Sequence, residues 1–269
     1  MPLCVMLRLN RIRASAEDIH RFPRVQQYAQ YLRRKTVGSK AGGRTLKNLD
    51  SRLMNALEAK YGRLWETIWP EEYSFKDQFK KLVITILSQN TSNTNAIRAY
   101  KGLAAKFEVT PHVLASADMN QLKEAIRSGG LYNIKAKRLR EVSKAVLEKF
   151  NGNVASVLSL PKEEAKKKLM ELPGIGDKTA DVLLTSKYSY KKVLPIDTHF
   201  DRVAKRIGIT KPSAGYDEVQ KAYMSFMPEA YRERASGLLW LLAKGTCRAQ
   251  IPKCGECLLS GICDYAAKR

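Results

Sequence analysis

No apolar run in these 269 residues approaches the roughly 20 that a membrane-spanning helix needs, so no membrane role is expected. Acidic side chains are scarce as well: 26 against 48 lysines and arginines, a net charge of +22 that far exceeds what solubility requires. Such a surface attracts polyanions and releases their condensed counterions. Nucleic acid is therefore the expected partner, with an affinity that falls steeply as salt rises. Charge alone does not separate DNA from RNA or from ribosome association. No stretch alternates apolar and polar residues as a half-buried strand would, and no segment repeats at a fixed period, so an all-α fold is expected. Cysteine is missing between Cys4 and Cys247. Nothing suggests an oxidising compartment, which argues against disulfides and leaves Cys4 as a free thiol without a role. Residues 1–7, followed by Arg8, Arg11 and Arg13, are too short an apolar segment for a targeting peptide and no small-residue cleavage site follows. A cytosolic location is expected.

What is present is helical periodicity. Residues 1–45 form a basic extension ending in the linker-like VGSKAGGRT of residues 37–45, with one short helix expected over residues 25–32. From Leu46 onward apolar residues recur at three and four. Leu46, Leu49, Leu53 and Leu57 predict a helix ending near Gly62. Phe79, Leu82, Val83, Ile86 and Leu87 form a second apolar face; Leu122, Ala125 and Ile126, then Leu139, Val142, Val146 and Phe150, continue the pattern. Ala165, Leu169 and Leu172 line a further helix, with Pro161 expected in its first turn. Leu238-Leu239-Trp240-Leu241-Leu242 reads as a buried helix rather than a base-stacking platform, and Trp65 and Trp69 as packing residues.

The most informative stretch is Leu172-Pro173-Gly174-Ile175-Gly176-Asp177-Lys178-Thr179-Ala180. A helix runs into a glycine hairpin and a second helix opens at Asp177–Lys178. Two glycines flanking Ile175 let backbone N–H groups face outward, and the new helix adds its positive end, so the hairpin is a cradle for a phosphate. Lys178 lies in the first turn, where the macrodipole disfavours a protonated amine; a lysine so placed can act as a nucleophile. Asp197 follows in Pro195-Ile196-Asp197-Thr198-His199. An amine and a carboxylate beside a phosphate cradle suggest chemistry on nucleic acid. The plainer alternatives are that Lys178 only neutralises a phosphate and that Asp197 only caps the next helix. Catalysis is favoured, and Asp197 can do both. His199 reads as structural.

Cys247, Cys254, Cys257 and Cys263 are spaced x6, x2 and x5 on a turn-rich segment containing Gly255 and Gly261. Four clustered thiols predict a metal centre, and either zinc or an iron–sulfur cluster can be held by four cysteines. Arg248 and Lys253, inside the first spacer, put cations on that loop where they can grip phosphate.

Taken in this order and at these separations, the hairpin, the downstream aspartate and the C-x6-C-x2-C-x5-C tail resemble endonuclease III, of the helix-hairpin-helix glycosylase superfamily. The resemblance runs from about Leu46 to the last residues and leaves out the basic extension. It implies two helical lobes, residues 76–190 with the hairpin and residues 46–75 plus 191–269 with a [4Fe-4S] cluster on the four cysteines. It implies that Lys178 attacks the sugar C1′, that Asp197 is the catalytic carboxylate, and that Gly174, Ile175 and Gly176 bind phosphate. Gly130-Leu131-Tyr132-Asn133 matches the segment whose leucine wedges into the duplex; without the family, Leu131 reads as a core leucine. In Leu87-Ser88-Gln89-Asn90-Thr91 the family's base-space plug falls on Asn90 in an ungapped match, with Gln89 one residue early, and the acidic residue that commonly follows is Asn93.

The implied activity is that of a bifunctional glycosylase and abasic-site lyase on oxidised or damaged pyrimidines in double-stranded DNA, acting as a monomer. Its location would be the cytoplasm with the nucleoid, or the nucleus or mitochondrion of a eukaryote. Sister enzymes that remove thymine, uracil or adenine from mismatches usually have serine or tyrosine where Lys178 stands. A non-catalytic hairpin module remains the alternative of another class.

Overall fold

The computed structural model describes residues 47–68 and 75–269. The short helix of residues 25–32, the linker, Leu46, Cys4 and Trp69 lie outside them. Among the described residues there are twelve α-helices and no strand: α1 Ser51–Ile68, α2 Gln78–Ser88, α3 Asn93–Lys106, α4 Pro111–Ser116, α5 Met119–Ala125, α6 Tyr132–Phe150, α7 Val154–Ser159, α8 Lys162–Met170, α9 Asp177–Lys192, α10 Thr198–Ile207, α11 Tyr216–Phe226 and α12 Arg232–Gly245. None is long and apolar enough to cross a membrane. The protein is all-α, as its periodicity predicts.

Local chemistry sets most of the helix starts. Asp77, Ser92, Thr110, Asp118, Asn153 and Asp197 each cap α2, α3, α4, α5, α7 and α10 with a side-chain oxygen on first-turn amides. Pro111 follows its cap at the first position of α4. Pro161 is the N-cap of α8, one step before the first turn where the sequence suggested it. Nor does α1 end near Gly62. It runs on to Ile68, because Gly62 is where the Glu58–Arg234 ion pair crosses the helix and a Cβ would collide with the Glu58 carboxylate. A glycine inside a helix costs about 1 kcal/mol, which a packed interface readily offsets.

Buried side chains form two hydrophobic cores. One runs from Phe79 to Val193 and includes Leu82, Ile86, Leu103, Leu139, Leu169, Ile175 and Leu184. The other joins Leu49, Met54, Leu57 and Tyr61 of the N-terminal side to residues from Leu194 to Leu259, among them Tyr223, Leu238 and Leu242. The chain therefore leaves the second core after α1 and returns to it after α9. Ser189, at φ +53°, breaks α9 near that return. Gly237 allows α12 to lie against α1: a Cβ there would sit 2.5 Å from the Trp65 indole. Trp65 is thus a packing residue.

Candidate active site

The hairpin joins α8 to α9. Ile175 is buried in the first core and anchors the turn, while Gly174 and Gly176 on either side are exposed. Gly174 has φ +70°, and the Arg138 guanidinium from α6 packs where its side chain would be. α9 begins on Gly176 with no side-chain cap. Its first-turn amides, which no helix can satisfy internally, therefore point outward beside the glycines. Lys178 is exposed at this mouth.

Asp197 is held from two directions. Oδ1 accepts from the His199 and Phe200 amides, each at 2.9 Å, and Oδ2 accepts from Trp240 Nε1 at 3.1 Å. The cap is real, and it leaves the second oxygen for other work. His199 follows two residues after Asp197. Burial lowers its pKa, the Arg202, Lys244 and Lys178 charges lower it further, and only Asp197 opposes them. One ring thus senses both the amine and the carboxylate. Arg202 Nη2 approaches His199 Nδ1 to 3.1 Å, and since a guanidinium only donates, Nδ1 accepts. That is the structural histidine expected.

Beneath the hairpin a buried carboxylate ties the two halves of the site together. Asp181, 2% exposed and one turn along α9 from Lys178, accepts from Tyr216 Oη and Gln220 Nε2, both at 2.7 Å, and pairs with Lys166 Nζ at 3.5 Å. Burial raises its pKa against these three partners. Tyr216 Oη also accepts from the Ile196 amide at 3.1 Å, and Gln220 donates to the Leu194 carbonyl at 2.8 Å. The segment carrying Asp197 is therefore bonded, through Tyr216 and Gln220, to the helix carrying Lys178.

Two loops flank the hairpin. Gln89 Nε2 donates to Thr179 Oγ1 at 3.2 Å and to the Gly174 carbonyl at 3.4 Å, and Arg138 Nη1 donates to Gln89 Oε1 at 2.8 Å. Gln89 is committed to the hairpin. Asn90, the next residue, is exposed in the left-handed region at φ +53°. On the other loop, Leu131 is 50% exposed at φ +51°, far from a core leucine, and follows Gly130 at φ +66°. Tyr132 is half-buried under Arg127, 5.5 Å from its ring, and Asn133 is exposed. Lys135 joins the two loops from below. It is 3% exposed, and its Nζ donates to the Leu87 carbonyl at 2.7 Å and the Gly129 carbonyl at 3.0 Å. Burial lowers its pKa.

The chain's residues 83–229 match the family model of the HhH-GPD superfamily, base excision DNA repair proteins. The endonuclease III of Thermotoga maritima is 33% identical over 203 residues, 75% of this chain and 89% of that protein. The Bacillus subtilis endonuclease III is 30% identical over 74% of this chain and 86% of that one. A trapped endonuclease III–DNA covalent intermediate, an estranged-adenine complex, superposes with a TM-score of 0.64 at 26% identity, over 82% of this chain and 99% of that one. The chain belongs to the endonuclease III family of the HhH-GPD superfamily. It is a base excision DNA repair enzyme of the DNA glycosylase class.

The family's tail is present too. None of the four C-terminal cysteines is joined in a disulfide, and all are half-buried. Burial raises the Cys257 thiol pKa, and the charges of Cys247, Cys263 and Cys254 add to the effect, so the four lie within electrostatic reach of one another. Among the described residues no three His, Cys, Asp or Glu side chains gather round a single ion. Arg206 Nη1 lies 3.4 Å from Cys247 Sγ, and the guanidinium also donates to the Arg248 and Ala249 carbonyls at 2.6 and 2.8 Å. Arg202 adds bonds to the Cys247 and Ala243 carbonyls, pinning the loop to α10. Four soft donors with a compensating cation suit a metal–thiolate centre. Arg248 is exposed on that loop; Lys253 is exposed and pairs with Glu256 at 3.4 Å.

Arg138, Lys135, Asp181, Tyr216 and Gln220 are site residues beyond those expected from the sequence, and Trp240 does more than the packing expected of it. α12 is buried as expected, yet Trp240 is only half-buried and turns its N–H to Asp197. A lysine inside the apolar face of α6 was a readable signal. The pairings over long separations were not.

Proposed function

We propose that this protein is a bifunctional glycosylase and abasic-site lyase that removes oxidised or otherwise damaged pyrimidines from double-stranded DNA. The observation that carries the reading is the exposed lysine at the uncapped N-terminus of α9, with a doubly held carboxylate in the same electrostatic neighbourhood. Gly174, Ile175 and Gly176 cradle a phosphate. Leu131 replaces lost stacking, since an exposed apolar side chain needs no hydrogen-bond partner there, and Tyr132 and Asn133 contact DNA beside it from the first turn of α6. Asn90 enters the vacated base space while Gln89 holds the hairpin. Arg248 and Lys253 add phosphate contacts from the cysteine loop.

In the reaction, positive charge develops on the sugar as the glycosidic bond lengthens, and the Asp197 carboxylate stabilises it. The neutral Lys178 amine bonds to C1′ as the base leaves with the glycosidic electron pair. Asp197 takes the proton released from nitrogen; the C1′–O4′ bond then breaks as O4′ takes up a proton, which opens the sugar and leaves the C1′=N Schiff base, and this loses a C2′ proton and then the 3′ phosphate by β-elimination. Cys247, Cys254, Cys257 and Cys263 are the residues that would hold a [4Fe-4S] cluster. Through iron–thiolate bonds these four residues would cross-link the loop carrying Arg248 and Lys253.

Borohydride reduction during reaction with duplexes bearing thymine glycol, an abasic site, or mismatched thymine or uracil tests the reading. Wild type should be trapped on the first two and Lys178→Gln on none. A wild type that cuts mismatches alone, or a Lys178→Gln variant that still cleaves the strand, would overturn it. Iron in the purified protein with a broad visible absorption band is expected; zinc in its place would refute the cluster.

A further inference from the structure

The two oxygens of Asp197 do different things. Oδ1 takes both cap amides, which fixes one end of the carboxylate but leaves its plane free to turn about that end. Oδ2 takes one donor, the Trp240 indole N–H at 3.1 Å, and this donor comes from α12, 43 residues further along the chain. A tryptophan N–H is a donor only, so it can hold the carboxylate without exchanging a proton with it.

The indole is itself held on several sides. Its ring meets His199 edge-on, with centroids 6.1 Å apart at 74°. Lys244 Nζ sits 4.3 Å from its ring centroid. Leu238, Leu239, Leu241 and Leu242 on either side of it are 5% exposed or less and fasten α12 in the second core. If packing alone mattered, any large side chain would serve here. The N–H aimed at the unused oxygen of the carboxylate is what packing does not require.

We propose that Trp240 is a positioning residue for base excision, one that fixes the plane of the Asp197 carboxylate before positive charge develops on the sugar. A fixed donor costs no reorganisation at the moment of reaction, which is where preorganised sites gain most of their rate. The proposal rests on Asp197 being the catalytic carboxylate. The lyase step on an existing abasic site needs the plane less, because no base has to leave.

The test replaces Trp240 in the full-length protein with benzothienylalanine, which keeps the bicyclic shape and puts sulfur where the N–H was, alongside Trp240→Phe and Asp197→Asn. Loss of one hydrogen bond to a charged group should slow single-turnover excision of the best-cleaved damaged pyrimidine about tenfold in the sulfur analogue. Its dissociation constant for the same duplex should not change, and borohydride trapping on a preformed abasic duplex should stay within about twofold of wild type. Unchanged excision in the sulfur analogue, with excision lost in Asp197→Asn, overturns the role of Trp240 alone. Equal loss of excision, trapping and DNA affinity overturns it in favour of packing. Intact excision in Asp197→Asn overturns the catalytic reading of Asp197 and the proposal with it.

Discussion

Lys135→Met removes the one ammonium that ties the Leu131 loop to the Asn90 loop, and the structure sets the size of the effect. Lys135 is almost wholly buried and bonds two carbonyls, Leu87 O at 2.7 Å and Gly129 O at 3.0 Å, each just ahead of a left-handed turn. Methionine fills a similar volume, so little cavity forms. The cost is two buried carbonyls without donors, about 1–3 kcal/mol each. Against that, the variant no longer buries an ammonium that has only neutral partners, and burial is what lowers the pKa of Lys135. We expect a net loss of about 2 kcal/mol in urea unfolding, seen as a lower midpoint at constant slope. The pH dependence has a definite sign. A lysine whose folded pKa lies below its unfolded value is held with fewer protons in the native state, so its burden on stability eases as pH rises towards 10.5. The deficit of the variant against wild type should therefore widen at alkaline pH. Functionally, excision of a damaged base should fall by more than trapping on an abasic duplex, because the two loops carry Leu131 and Asn90, the residues proposed to act in base extrusion. A variant within about 0.5 kcal/mol of wild type, with unchanged excision, would refute the reasoning.

Three further outcomes follow from other residues. Burial holds the Lys81 pKa down to about 8, and its Nζ donates to two neutral hydroxyls, Ser186 Oγ at 2.6 Å and Thr185 Oγ1 at 3.3 Å. That shift corresponds to roughly 3 kcal/mol at most, and allowing for solvent screening Lys81→Met should stabilise the protein by about 1–2 kcal/mol at pH 7. Calorimetry should show wild-type stability rising between pH 8 and 10.5 relative to the variant, and a parallel pair of curves would sink this account. Gly174→Ala places a methyl at φ +70° against Arg138 and should cost about 2 kcal/mol while weakening DNA binding, measured by unfolding and by fluorescence anisotropy. Tyr216→Phe strips the Ile196 amide and the Asp181 carboxylate of a shared hydroxyl. A loss of about 2–3 kcal/mol is expected, with a larger fall in excision rate than in DNA affinity.

Much of this protein was legible from its residues alone. Periodicity of three and four, the cap at Asp197 and the paired glycines depend on neighbours within one or two turns, so the helices with a marked apolar face, the hairpin and that cap could be read directly. The end of α1 could not, because Gly62 breaks helices on average and survives here through an ion pair with a residue from α12. Chemical type and order placed Lys178, Asp197 and the four cysteines in the candidate site. Only the tertiary structure distinguished Gln89 from Asn90, exposed Leu131, and brought Lys135, Asp181, Tyr216 and Trp240 to the residues they hold. Those contacts join positions from 6 to 90 residues apart. Hydrogen bonds across such separations are decided by how the helices pack, and no local pattern in the chain records which donor will meet which acceptor.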